Sequence, residues 1–146
     1  VPCRVKVTPL AKTQADALRG PQRKRLEDAI REIEQHGCAA LDYRLSGSDL
    51  LERLCVKHLR GPGRLVVCFA EPELAWLLLV GEHTDDPGRN VYDMLYVLVD
   101  HEPEPNTGRS KPSCCEDGHA PLVEDPLVDD LVDRTRDLLG RRRSRR

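Results

Sequence analysis

Three apolar runs, residues 51–59, 64–70 and 74–81, follow one another with only tight turn sequences between them. From residue 51 the side-chain period reads as two, that of a strand: Leu54 and Val56 share one side of the first run and Arg53, Cys55 and Lys57 the other, while Leu65, Val67 and Phe69 oppose Arg64, Val66 and Cys68 in the second. Arg60, Gly61, Pro62 and Gly63 separate the first pair, and Glu71, Pro72 and Glu73 the second. Connections this short join antiparallel neighbours, so a three-stranded meander is expected.

Upstream the period changes. Val5 and Val7 alternate with polar neighbours, which predicts a first strand over residues 4–8. Thr8 followed by Pro9 has the form of a helix cap and first-turn residue, and Leu10, Ala11, Gln14 and Leu18 continue at helical spacing to Gly20. Pro21 reopens a helix whose stripe is Leu26, Ala29, Ile30 and Ile33, ended by Gly37. Past the meander, Tyr92, Met94, Leu95 and Leu98 predict another helix over residues 91–100. Strand, helical hairpin, meander and helix make an α+β fold in which the hairpin buries its stripe on one sheet face. The other face is expected to carry a groove. Arg53 and Lys57 share one side of their strand, and Arg64 starts the next, so a basic strip across neighbouring strands is expected.

Composition bounds the function. The 146 residues are 39% hydrophobic and 33% charged, which suits one packed core, built from aliphatic side chains because aromatics are only 3%. A formal charge of -2 excludes a globally cationic nucleic-acid binder, so any affinity for phosphate must be local. The longest apolar stretch, residues 74–80, is far short of the roughly 18 or more residues needed to span a bilayer, and the N-terminus has no basic-then-apolar leader pattern. A soluble, cytoplasmic protein with no membrane contact is expected. Cys3, Cys38, Cys55 and Cys68 are scattered singly and read as buried free thiols. Cys114, Cys115 and His119, with His101 upstream, superficially suggest a metal centre, but paired Cys-x-x-Cys arms are missing; no metal or cofactor is expected, and the two cysteines read as exposed thiols.

The apolar pattern stops near residue 100, dividing residues 1–100 from an extension over 101–146. Residues 101–120 are rich in Pro, Gly, Ser and charge, as in a linker. Leu127, Val128, Leu131, Val132, Leu138 and Leu139 then predict an amphipathic helix over 125–139, followed by an Arg-rich tail. Its apolar face has three candidate seats: the parent domain, a second copy in a homodimer, or a partner.

The order of elements, together with "VKHLRGPGR", "RLVVCF" headed by Arg64, "LLLVGEH" ending in His83, and Tyr92 in "NVYDMLY", resembles the RelE/ParE superfamily of toxins from toxin-antitoxin pairs over roughly the first 100 residues. The resemblance implies a RelE-like domain that meets mRNA at the ribosome, cuts it without a metal or cofactor, and is held by a cognate antitoxin protein. Arg64 matches the arginine that opens the family's third strand. His83 stands where relatives have arginine, lysine or histidine, Tyr92 matches an aromatic residue near the domain's end, and Lys57 and His58 fall where basic residues precede the turn.

RNA cleavage by its own 2'-hydroxyl requires a base for that proton, cationic donors for charge building on phosphorus, and an acid for the departing 5' oxygen. His83 and His58 are the candidate acid-base residues, Arg64 the candidate phosphate clamp, and Tyr92 a stacking or proton-transfer residue. Lys57, Arg53 and Arg89 are candidate RNA-binding cations. Structural roles compete at every position: His58 as a solvated strand-end residue, Arg64 in a pair with Glu71 or Glu73, Tyr92 packing a helix onto the sheet. Glu82, Asp85 and Asp86 flank His83 and repel phosphate unless turned outward. Two further functions stay open, a ParE-like toxin that binds a protein such as DNA gyrase without cutting anything, and an inactive toxin-fold interaction module.

Overall fold

The computed structural model describes residues 2–84, 90–100 and 112–144, with side chains through residue 140. Arg89, Asp85, Asp86 and His101 lie outside the described residues. β1 (Arg4–Val7) leads into α1 (Pro9–Asp16) and α2 (Gly20–His36). β2 (Tyr43–Arg44) precedes the meander of β3 (Leu54–His58), β4 (Gly63–Glu71) and β5 (Leu74–Glu82), and α3 (Val91–Val99) and α4 (Asp125–Ser144) follow. The class is α+β as expected, around a five-stranded mixed sheet ordered β1-β5-β4-β3-β2. All neighbours are antiparallel except β1 and β5, which run parallel; the helical hairpin carries the chain from β1 at one edge of the sheet to β2 at the other. β2 was not anticipated because two residues are too few to show a period.

Thr8 sets the first corner. Its Oγ1 accepts the Ala11 N–H at 3.1 Å and donates to the Leu78 carbonyl at 3.0 Å, so one fully buried hydroxyl both caps α1 and ties it to β5. β1 pairs with β5 only as far as Leu77, and beyond that point the Gln14 side chain of α1 accepts the Val80 N–H at 2.8 Å. A side chain thus satisfies a strand edge that would otherwise need another strand. α1 straddles that edge, with Leu10 in the core of one sheet face and Ala11 and Ala15 in the core of the other.

α2 buries Leu26, Ala29 and Ile33 against Cys55, Leu65, Val67, Phe69 and Leu77. The opposite face, expected to be free, is largely covered. Val91, Leu95 and Leu98 of α3 and Val128, Leu131 and Val132 of α4 pack there on Leu54, Val56, Val66 and Cys68. The extension therefore seats its apolar stripe on the parent sheet, and the homodimer expected through α4 loses the surface it needed. Each large aliphatic side chain so buried contributes about 1.5–3 kcal/mol, whereas an exposed stripe would contribute nothing.

The cysteines correct a second expectation. Cys38 bonds Cys115 and Cys55 bonds Cys114, with Cα separations of 5.4 and 5.6 Å, and only Cys3 and Cys68 are free, both buried. The chain after residue 111 is thus fastened rather than loose: the Arg44 N–H donates to the Pro112 carbonyl at 2.8 Å and the Val123 N–H to the Phe69 carbonyl at 2.8 Å. Scattered single cysteines look unpaired in sequence because their partners are 77 and 59 residues away. Bridges of this kind persist in oxidising surroundings, whereas the cytoplasmic expectation accompanied free thiols. Among the described residues no helix is long and apolar enough to cross a membrane, and no group of three or more His, Cys, Asp or Glu side chains is arranged to hold a metal ion.

Candidate catalytic site

The open part of the second sheet face lies where β3 ends and β4 begins. Register decides which side chains meet there. His58 pairs with Arg64, and Arg64 with Gly81, so one row across three strands carries an imidazole, a guanidinium and no side chain at all. Tyr43 pairs with Val56 and shares the face of His58, two residues further along β3. His83 follows β5 two residues after Gly81, with its N–H donated to the Pro62 carbonyl at 2.8 Å.

Gly81 also admits α3. A Cβ there would lie 3.0 Å from Val91 Cβ and 3.1 Å from Val91 Cγ2, so the start of the helix can approach β5 only over a glycine. Asn90 caps that helix, its Oδ1 accepting the Tyr92 N–H at 3.2 Å, and this holds Tyr92 in the first turn above the row.

The side chains form one chain of contacts. Tyr43 Oη lies 2.7 Å from Tyr92 Oη and 3.3 Å from His58 Nε2. The rings of Tyr43 and His58 meet edge to face at 5.3 Å, and those of His83 and Tyr92 at 5.0 Å. Asp42 Oδ2 accepts the His58 N–H at 2.6 Å, which fixes the strand end that presents the imidazole. Both histidines are exposed, while Tyr43 is buried. Burial pushes the Tyr43 phenol well above its ordinary range; the hydrogen bond and charge of Tyr92 push the same way, the Arg64 charge opposes them, and Asp42 adds a small upward push. Tyr43 is therefore a neutral phenol at any ordinary pH, able to accept one hydrogen bond and donate another but not to act as a phenolate base.

Arg64 is aimed by the turn beneath it. Its Nη1 donates to the Gly61 carbonyl at 2.9 Å and the Gly63 carbonyl at 2.8 Å, while Nε is shielded from solvent with no hydrogen-bond partner among the described residues. A shielded, unmatched donor on a cation costs about 1–3 kcal/mol. Among the described residues no carboxylate pairs with Arg64, so the structural role through Glu71 or Glu73 does not apply.

Lys57 and Arg53 do not join this cluster. Lys57 pairs with Leu65 and so points to the hairpin face, where its Nζ donates to the Ala40 carbonyl at 2.8 Å and meets Glu32 Oε2 of α2 at 2.8 Å. The expected basic strip fails by one residue of register: on the Arg64 face the neighbour is His58, because period two sends Lys57 to the other side. Arg53 precedes β3 at its far end, five residues or roughly 16 Å from His58, and donates to the Leu122 carbonyl at 3.1 Å. Lys57→Ala should accordingly leave any cleavage of RNA within about twofold of wild type while removing about 1–2 kcal/mol of stability, the scale of a charge-assisted hydrogen bond with a partner that can resolvate. A melting curve beside a cleavage assay checks both, and a large loss of activity at full stability would return Lys57 to the site.

Tyr43 was not singled out in sequence. The one available signal is the scarcity of tyrosine, three in the whole chain, two of which meet here. Compared with known proteins, the chain matches no protein-family model and no curated protein.

Proposed function

We propose that the chain is a RelE-like toxin, a metal-independent ribonuclease that cuts mRNA at the ribosome and is restrained by a cognate antitoxin. The observation that carries this reading is the gathering of His58, Arg64, His83 and two hydrogen-bonded tyrosines at one open end of the sheet. These groups match the needs of the reaction. Arg64 holds the non-bridging phosphate oxygens. One imidazole takes the 2'-hydroxyl proton as that oxygen bonds to phosphorus, and the other gives a proton to the 5' oxygen as its bond to phosphorus breaks, leaving a 2',3'-cyclic phosphate and a 5'-hydroxyl. The neutral Tyr43 phenol connects Tyr92 to His58, so a proton can be passed or an imidazole held in one tautomer without building charge inside the sheet. The succession of β1, a helical hairpin and an antiparallel meander agrees with the same family.

The test is cleavage of RNA by the purified chain with and without translating ribosomes, comparing wild type with Arg64→Ala and His83→Ala. Activity confined to wild type supports the proposal; equal activity in all three, or none under either condition, rejects it. The near-neutral charge of the chain favours one other reading, a toxin that binds a protein target such as DNA gyrase, since the electrostatic footprint of a general RNA binder is missing. Inducing the protein in cells separates them: translation stops in the first case, supercoiling in the second.

A further inference from the structure

The turn that holds Arg64 has a second side. A cavity of about 370 Å³ opens between this turn, the end of α1, the first turns of α2 and the end of β5, and its lining includes Leu18, Gln22, Arg25, Arg60, Glu82 and Met94. We infer that this cavity binds one nucleotide of the RNA strand, next to the nucleotide whose phosphate sits on Arg64. The inference rests on the nuclease reading and names a substrate subsite for it.

Four observations support the assignment. The wall between cavity and catalytic row is backbone, Gly61 to Gly63, whose carbonyls hold Arg64 and whose Pro62 carbonyl accepts the His83 N–H, so the two sites are separated by the thickness of one turn. That wall stays low only with glycine: a Cβ at Gly63 would lie 2.9 Å from Leu59 Cβ, and Gly61 adopts a φ of 70°. Arg25 and Arg60 border the cavity without an ion pair among the described residues, which leaves two cations for a phosphodiester. Leu18 and Met94 supply apolar surface for the face of a base, and Met94 is steadied by Gln14, whose Nε2 lies 3.6 Å from its sulfur while Oε1 is bound to Val80. Glu82, the one carboxylate on this lining, repels an oxyanion and accepts N–H donors, as the edge of a nucleobase presents. Volume, paired cations, apolar walls and a single acceptor together suit a nucleotide better than a bare anion or an aliphatic ligand.

The experiment measures binding of a short 2'-O-methyl RNA, which cannot be cleaved, to the full chain at fixed salt. Guanosine monophosphate and inorganic phosphate serve as competitors, and cleavage of ordinary RNA is followed in parallel. Arg25→Ala is expected to weaken the oligonucleotide about tenfold, and Leu18→Trp, which fills the cavity without touching charge, by at least as much, with thermal melting reported for both. The free mononucleotide should compete far better than phosphate, yet more weakly than the strand. Unchanged affinity in both variants overturns the inference, as does competition by phosphate equal to that of the mononucleotide, which would make the cavity an anion site only. Wild-type protein that cleaves RNA while both variants bind normally removes the cavity alone. Wild-type protein that binds through Arg25 and Leu18 but never cleaves removes the nuclease and keeps the subsite.

Discussion

His83→Ala is expected to lower RNA cleavage by about 100-fold to 10,000-fold, the range a positioned acid or base contributes, with little change in melting temperature. The separation of the two effects follows from how the residue is held. Its side chain is exposed and touches the Tyr92 ring, whereas the bond that anchors the loop is its backbone N–H to Pro62, which alanine keeps. Arg64→Ala is a harsher change. It should cost about 100-fold to 1,000-fold through lost stabilisation of charge on phosphorus, and it also frees the Gly61 and Gly63 carbonyls, so a lower melting temperature is expected with it. Arg64→Lys should recover little, because an ammonium cannot span both carbonyls and still offer a second donor edge. Tyr92→Phe distinguishes the two tyrosine roles: it keeps the ring against His83 and removes the 2.7 Å bond to Tyr43. A cleavage rate that survives His83→Ala within a few-fold would remove this imidazole from the chemistry and leave the row without its second acid-base group.

Reducing the two disulfides is expected to lower the melting temperature by roughly 5–15 °C while leaving the catalytic row in place. Each bridge closes a long loop, 77 and 59 residues, and a bridge of this size removes about 2–4 kcal/mol of unfolded-chain entropy, with the second adding less because Cys114 and Cys115 are already neighbours. For a chain of this length each kcal/mol moves the midpoint by a few degrees. Both bridges fasten the stretch after residue 111 near β2 and the hairpin face, and none of the row's side chains is among their partners. A protein acting in a reducing compartment would therefore lose stability before it lost its site. Thiol counting gives an independent check. The folded oxidised chain should titrate no reactive thiol, because burial raises the Cys3 thiol and pushes Cys68 up to about 12, and the thiolate is the reactive form. Unfolding without reductant should expose two thiols and unfolding with it six. Six thiols on unfolding without reductant, or a midpoint indifferent to reductant, would show that the bridges do not form.

Much of the architecture was legible along the chain. The hairpin helices announce themselves through Thr8 and Pro9, Pro21, and the stripe Leu26, Ala29 and Ile33, because capping and a 3.6-residue repeat act within a few residues of one another. The meander was equally plain from Gly61, Pro62, Gly63 and Pro72. Arg64, His83, His58 and Tyr92 were singled out from local sequence and resemblance, and these four do lie together. The strand expected over 51–59 is observed over Leu54–His58, with Leu51–Arg53 in a 3-10 turn, and Lys57 falls on the unexpected side because strand-internal alternation says which residues share a side but not which side of the next strand they join. Tyr43 was passed over because a two-residue strand carries no period.

Local chemistry in this chain settles where helices start and stop, where the backbone reverses, and which residues alternate, since each depends on neighbours a few positions apart. The pairing of His58 rather than Lys57 with Arg64, the seating of α4 on the sheet, the joining of Cys38 and Cys55 to Cys115 and Cys114, and the meeting of Tyr43 with Tyr92 were decided only by the folded whole. Contacts between distant parts of the chain depend on relative register and on which apolar surfaces find each other, and no short window of sequence contains either.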